Sequence, residues 1–156
     1  ELIIVQPSDS TISSPTLYEY YCYEDIIKAL SVIKFKGKVL FVFHPSNSKL
    51  SVHIKRAFCN LFKNIYESKF QLKSFHRRGN IENLSEHTSN IISIDYSQSY
   101  RFMLEGNKKL INYNRYNSRL YGPIDKIFMQ SGNYVDVNNY KMLENTLSKN
   151  LNCVDV

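Results

Sequence analysis

The feature that most constrains the fold is a continuous apolar run, Lys38-Val-Leu-Phe-Val-Phe43. The residues after Lys38 are β-branched, leucine or aromatic, and the run is too short for a buried helix. It therefore predicts a central strand that is covered on both faces by other elements of the fold.

Helical patterns precede and follow this strand. Ser14 and Pro15 can start a helix whose apolar residues recur every three or four positions until Gly37. After His44 to Ser48 the chain shows its clearest amphipathic helix, and seven residues form the apolar face that we expect to point inward. They are Leu50, Ile54, Ala57, Phe58, Leu61, Phe62 and Ile65. Phe70 to His76 predicts a second strand, so this region predicts a right-handed βαβ crossover with parallel strands.

The second half of the chain has a different pattern. Asn90 to Tyr96 and Tyr100 to Glu105 alternate like strands, Gly106-Asn107 is a turn signal, and Lys108 to Tyr116 returns as a third strand. Asn138 or Asn139 can cap a last helix. The predicted fold class is α+β: a mixed sheet with an early βαβ crossover, a later antiparallel hairpin region and about three helices.

The domain organisation is expected to be simple, because 156 residues is the usual size of one domain. Residues 1–15 are predicted to be a linker or the stump of a removed N-terminal segment, since an apolar start is followed by a Ser/Thr/Pro-rich stretch. An edge strand at Leu2 to Val5 is the alternative interpretation. Residues 16–156 then form the single α+β domain.

Charge is distributed unevenly along the chain. Residues 28–78 contain twelve Lys or Arg and one acidic residue, Glu67, within an overall net charge of +6. This asymmetry favours an anionic partner: nucleic acid, an anionic membrane face, an acidic glycan or an acidic protein. The predicted basic surface comprises Lys49, Lys55, Arg56 and Lys63. A solvated basic surface without any partner is the alternative.

A candidate site lies where the two predicted parallel strands end. His44 and His76 would share the carboxyl edge of the sheet, which is where open α/β sheets bind ligands. Ser46 and Ser48 precede a helix, and Arg77 and Arg78 follow the second strand, so the group predicts an anion pocket or a pH-sensing pair of histidines. Two ordinary loop histidines are the alternative.

Chemistry beyond binding has little support in the sequence. The four histidines and three cysteines have no metal-ligand spacing, and no nucleophile elbow, Walker loop or dinucleotide fingerprint occurs. We therefore predict no catalytic residue, no metal and no cofactor. A disulfide between two of the cysteines, Cys22, Cys59 and Cys153, is left open, as are three free thiols.

In architecture the chain is similar to small periplasmic partner proteins of membrane-embedded, ToxR-like transcription regulators. The apolar start, the Ser/Pro linker before one α+β domain and the few cysteines carry this resemblance. It implies a non-enzymatic, extracytoplasmic domain, anchored by a removed N-terminal segment, that stabilises or senses on behalf of a membrane-bound protein partner. The alternatives are a nucleic-acid-binding module that uses the basic 28–78 region, and a small enzyme or toxin component with an unrecognised site.

Overall fold

The structure is a computed structural model of the 156-residue chain, and it describes residues 2–6, 17–43, 48–76, 88, 90–94, 109–113, 115 and 134–151. Within these residues the chain forms six strands and three helices. In chain order they are β1 (Leu2–Gln6), α1 (Leu17–Val32), β2 (Lys38–Phe43), α2 (Lys49–Ile65), β3 (Gln71–His76), β4 (Asn90–Ile94), β5 (Lys109–Tyr113), β6 (Tyr134–Val137) and α3 (Tyr140–Asn150).

The six strands form one sheet in the order β3-β2-β1-β4-β5-β6, and every pairing between neighbours is parallel. The chain starts in the middle at β1, adds β2 and β3 on one side, and then adds β4, β5 and β6 on the other. This is the doubly wound order of open α/β sheets. The early βαβ crossover is therefore confirmed, because β2 and β3 are parallel neighbours joined by α2.

The prediction of a later antiparallel hairpin region is wrong. β4 and β5 are parallel, with Asn90 opposite Lys109 and Ile94 opposite Tyr113. An alternating pattern indicates strands but does not give their direction. The segment between β4 and β5, residues 95–108, is long enough for the crossover that a parallel pair requires. The strand predicted at Tyr100 to Glu105 lies outside the described residues.

The N-terminal strand is the second correction. Leu2–Gln6 is neither a linker nor an edge strand, because β1 pairs with β2 on one side and β4 on the other. The side chains of Ile3 and Val5 are fully buried. In the sequence, a short apolar run beside a Ser/Thr/Pro-rich stretch resembles the stump of a removed segment. The two strands that pair with β1 lie far away along the chain, so the local pattern does not show the pairing. Residues 7–15 of the predicted linker lie outside the described residues.

Both faces of the sheet are buried, as expected for parallel strands. On one face, alternate side chains join the helices in a single core, in which α1 contacts both α2 and α3. From the strands this core takes Ile3, Val5, Val39, Phe41, Phe43, Ile92, Ile94, Ile111, Tyr113 and Val137. On the opposite face Leu40, Val42, Ile91 and Leu110 are also buried.

Helix α2 does not bury the face that the sequence predicts. Its buried residues are Val52, Lys55, Cys59 and Phe62. Most of the predicted apolar face is exposed instead: Leu50 by 68%, Ile54 by 36%, Leu61 by 49% and Ile65 by 56%. Periodicity identifies an apolar row on a helix, but it does not identify which row the neighbouring elements cover.

None of the helices in the described part of the chain combines the length and apolar character needed to cross a bilayer.

The central position of β1 predicts a large cost for truncating it. We expect Ile3→Ala to lower the free energy of unfolding by about 2–5 kcal/mol, because it leaves a cavity between β1 and the helices. The matched control is Ile65→Ala on α2, where the side chain is 56% exposed and the cost should stay within about 0.5 kcal/mol. Urea unfolding of both variants measures the difference. Equal, small costs would mean that residues 2–6 are a linker.

Candidate functional site

The carboxyl edge of the sheet collects the elements from which a binding site can be built. Because all six strands are parallel, their last residues lie along one edge: Gln6, Phe43, His76, Ile94, Tyr113 and Val137. Helices α1, α2 and α3 each follow a strand, so they begin on this side of the sheet. The partial positive charge of a helix N-terminus favours anions.

The point where the strand order reverses lies between β1 and β4. These two strands are neighbours, yet β1 continues towards β2 and β4 continues towards β5. In open α/β sheets, the connections that leave the two strands at such a point diverge and leave a crevice that binds ligands. The sequence did not predict this reversal point, because the point exists only if β1 is a strand of the sheet.

The predicted histidine pair lies to one side of this point, since His44 follows β2, one strand from β1, and His76 ends β3, two strands from β1. His76 is the last residue of β3 and lies opposite Phe43, and His44 follows Phe43 in the chain. Neighbouring strands are about 4.8 Å apart, so the two segments begin close together. The side chain of His76 and the residues His44, Ser46, Arg77 and Arg78 lie outside the described residues. Their role as an anion pocket stays a prediction.

Ser48 is described, and its side chain has a structural role. It is the N-cap of α2, and its Oγ accepts a hydrogen bond of 3.1 Å from the backbone N–H of Ser51. One capping side chain satisfies only part of the first turn of a helix, which has four N–H groups without intrahelical acceptors. The start of α2 thus remains compatible with an anion nearby.

Behind the edge, on the helix side, lies a buried ion pair. Lys55 Nζ is 3.1 Å from Glu19 Oε1, and both side chains are at most 1% exposed. The hydroxyl of Tyr23 donates to the same carboxylate oxygen. Burial, followed by the charge of Glu19, raises the pKa of Tyr23 well above its ordinary value, so the phenol stays a donor.

The burial of Lys55 corrects its assignment to the basic surface. Position 55 shares a helix face with Val52, Cys59 and Phe62, and the ammonium group also lies 5.7 Å from the ring centroid of Phe43. The sequence shows a lysine in a basic stretch and gives no sign that Glu19, on another helix, is its partner. Lys49 and Arg56 are exposed and Lys63 is partly exposed.

A second polar cluster holds the end of β5. The hydroxyl of Tyr113 donates to Asp25 Oδ2 at 2.6 Å, and Arg115 Nε lies 3.3 Å from the same oxygen. Burial raises the pKa of Asp25, while the hydrogen bond from Tyr113 and the charge of Arg115 act in the opposite direction. The guanidinium also lies 4.8 Å from the ring centroid of Tyr21. This cluster fixes α1 against the edge, and no local pattern predicts it.

A polar ladder crosses the opposite face of the sheet at the same end. Ser93 Oγ donates to Asn112 Oδ1 at 3.0 Å, and Asn112 Nδ2 donates to Asp136 Oδ1 at 2.9 Å. The three residues are in register and each is the last but one of its strand. Gln6 occupies the same row on β1. In the sequence, each of these three strands carries a polar residue at its last position but one, and this repeat was the available signal.

The structure describes Cys22 and Cys59, and this reduces the number of predicted disulfide pairings. Cys59 is a buried free thiol, and burial raises its pKa, so it stays protonated. Cys22 is also buried, and Cys153 lies outside the described residues. A bond that uses Cys59 is therefore wrong, and a pairing of Cys22 with Cys153 stays a prediction.

Among the described residues no group of three or more His, Cys, Asp or Glu is placed to hold a metal ion. Comparison of the chain with protein-family models, curated proteins and solved structures gives no match. The topology of the sheet and the chemistry of its carboxyl edge are the features that bear on function.

The buried ion pair predicts strong coupling between its partners. We expect Lys55→Met to lower the free energy of unfolding by about 3–5 kcal/mol, because it leaves the Glu19 carboxylate buried without its cation. Adding Glu19→Gln should restore most of the loss, since the amide oxygen can still accept from Tyr23. Lys63→Met on the same helix is the control. A cost for Lys55→Met below about 1 kcal/mol, as for exposed pairs, would contradict the buried geometry.

Proposed function

We propose that this chain binds a phosphate-bearing small molecule, with a nucleotide as the best-matched class, at the carboxyl edge of its sheet. The observation that carries the proposal is the all-parallel order β3-β2-β1-β4-β5-β6, which has its reversal point between β1 and β4. In sheets of this order the crevice at the reversal point is the place where mononucleotide and dinucleotide ligands bind.

The charge around the edge supports an anionic ligand. Arg77 and Arg78 follow β3, His44 follows β2, and α1 and α2 begin on the same side. Guanidinium groups bind phosphate oxygens in a bidentate manner, and helix N-termini add backbone N–H donors.

The phosphate would be held differently from that of a Rossmann dinucleotide. The segment from Pro7 to Thr16, which joins β1 to α1, contains no glycine. The Gly-rich turn that lets a pyrophosphate approach the backbone is therefore absent from the sequence. Side-chain contacts from the segments after β2 and β3 take its place in this proposal, which favours a ligand with one compact phosphate group over a dinucleotide.

The wider roles predicted from the sequence stay proposals beside this one. A domain that senses for a membrane-bound partner outside the cytoplasm needs a ligand or a pH response, and binding at the carboxyl edge is compatible with both. A nucleic-acid-binding surface loses Lys55, which is buried. The nucleic-acid interpretation accordingly has a smaller set of free cations than the sequence indicates.

The binding proposal is tested by calorimetric titration of the whole chain with inorganic phosphate and a panel of nucleoside mono- and diphosphates. We expect at least one nucleotide to bind more tightly than phosphate. Arg77→Ala/Arg78→Ala should weaken it by about tenfold or more, because each guanidinium hydrogen bond to a charged group contributes about 1.5–3 kcal/mol.

The matched control for this test is Lys36→Ala/Lys38→Ala. It removes the same charge at the start of β2, on the opposite edge of the sheet, where both side chains are exposed. Equal weakening by both double variants would show a general charge effect and contradict a site at the carboxyl edge. No binding by any member of the panel, or binding of oligonucleotides only, would also overturn the proposal.

The histidines add a pH dependence with a definite sign. Protonated imidazoles attract an anion. Affinity for the nucleotide should therefore fall as pH rises through the ordinary pKa of a histidine side chain, about 6.5. His44→Asn/His76→Asn should remove this dependence, while His53→Asn, an exposed histidine on α2, should keep it. Titrations on both sides of this range measure the effect. An unchanged slope in the double variant would exclude the pair as the titrating groups.

A further inference from the structure

Helix α2 carries an apolar row on its outer side. We define the α2 stripe as Leu50, Ile54, Ala57, Leu61 and Ile65, spaced by four, three, four and four residues, which keeps them on one side of the helix. All five are exposed, and Leu50 and Ile65 are exposed by 68% and 56%. The stripe runs for about 22 Å along the helix. Single exposed apolar residues are ordinary, but a continuous row marks a contact surface.

One flank of the stripe is cationic. Lys49, Arg56 and Lys63 lie along it, and α2 contains no acidic residue. The guanidinium of Arg56 donates from Nε to Ser74 Oγ at 2.7 Å, so this flank faces β3, the outermost strand, where Lys73 is also exposed. The row of apolar side chains is therefore bordered by positive charge along its length.

The other flank of the stripe is closed by α1. Phe58 packs against Tyr20 with 4.2 Å between ring centroids, so α1 borders the stripe on this flank. The stripe is the crest of α2, on the side of the helix opposite the buried Val52, Lys55, Cys59 and Phe62. Amphipathic peptides from other proteins normally dock in grooves, where several apolar walls surround them.

Charge also disfavours a second copy of this chain as the partner. A symmetric dimer through the stripe would be isologous, so each copy would bring the same cationic flank to the same interface. Lys49, Arg56 and Lys63 would then face like charges with no acidic residue on α2 to offset them. A flat, deformable surface that offers both apolar and anionic groups is complementary to the apolar crest and to its cationic flank.

We propose that the α2 stripe docks on an anionic lipid membrane. Leu50, Ile54, Leu61 and Ile65 enter the boundary between headgroups and acyl chains, and the cationic flank contacts lipid phosphates. Apolar residues beside Lys and Arg on one helix are the composition that holds a helix in the plane of the membrane interface. The stripe begins at Leu50, in the first turn of α2 beside the carboxyl edge, and runs away from that edge to Ile65. Docking of the stripe does not require the proposed nucleotide site.

Vesicle co-sedimentation of the whole chain tests the docking. We expect binding to phosphatidylcholine vesicles that contain phosphatidylglycerol and none to phosphatidylcholine alone. Lys49→Gln/Lys63→Gln should weaken binding by roughly thirtyfold, since each cation near an anionic surface contributes roughly fivefold. Leu61→Gln/Ile65→Gln should weaken it by about tenfold or more. The charge-matched control Lys141→Gln/Lys149→Gln, on exposed positions of α3, should bind like the wild type.

A second measurement does not rely on loss of binding. The chain contains no tryptophan, so Leu61→Trp introduces a single reporter on the stripe. Its fluorescence should shift to shorter wavelength with anionic vesicles and be quenched by brominated lipids. Val32→Trp, at a 51% exposed position on α1, should not respond. Equal responses from both positions, absence of wild-type binding, or a solution dimer that the stripe variants dissociate would overturn the proposal.

Discussion

The parallel pairing of β1 on both of its edges is the constraint on which the rest of the fold depends. β1 joins the half of the sheet that contains β2 and β3 to the half that contains β4, β5 and β6. Ile3 and Val5 bring its apolar side chains into the same core as the helices. Without this strand the two halves have no shared neighbour, and the reversal point at the carboxyl edge does not exist. The proposed binding site is therefore a consequence of five residues at the start of the chain.

Polar contacts inside the core determine how the helices sit on that sheet. Glu19 on α1 and Lys55 on α2 form a buried pair that is also bonded by Tyr23, and Asp25 on α1 accepts from Tyr113 at the end of β5. Apolar packing is non-directional, whereas each of these bonds has one geometry. Both clusters involve α1, which lies between α2 and α3. Together they fix this helix behind the edge where a ligand is proposed to bind.

The sequence predicted those features that a local pattern can encode. The buried strand at Lys38–Phe43, the helix that follows it and the parallel pairing with β3 are confirmed, because apolar runs and spacing determine them. The features that depend on partners distant in the chain were wrong or missed. These are the direction of β5, the central position of β1, and the buried ion pair of Lys55 with Glu19, which lies 36 positions earlier in the sequence. The polar ladder lies between these cases. The sequence shows a polar residue at the last position but one of each strand, but the alignment of these residues depends on how the strands pair in the fold.

Helix α2 shows why the usual inward and outward assignment failed. It has three faces with different requirements: one packs on the core and contains a lysine, one is cationic, and one is apolar and exposed. The buried lysine is stable because Glu19 supplies its counter-charge, so the inner face need not be wholly apolar. Leu50 and Ile65 on the outer face contribute little to folding, since more than half of each residue stays exposed in the folded chain. Leucine and isoleucine at these positions therefore require an explanation outside the folded domain. An anionic membrane explains both the apolar row and the cations beside it.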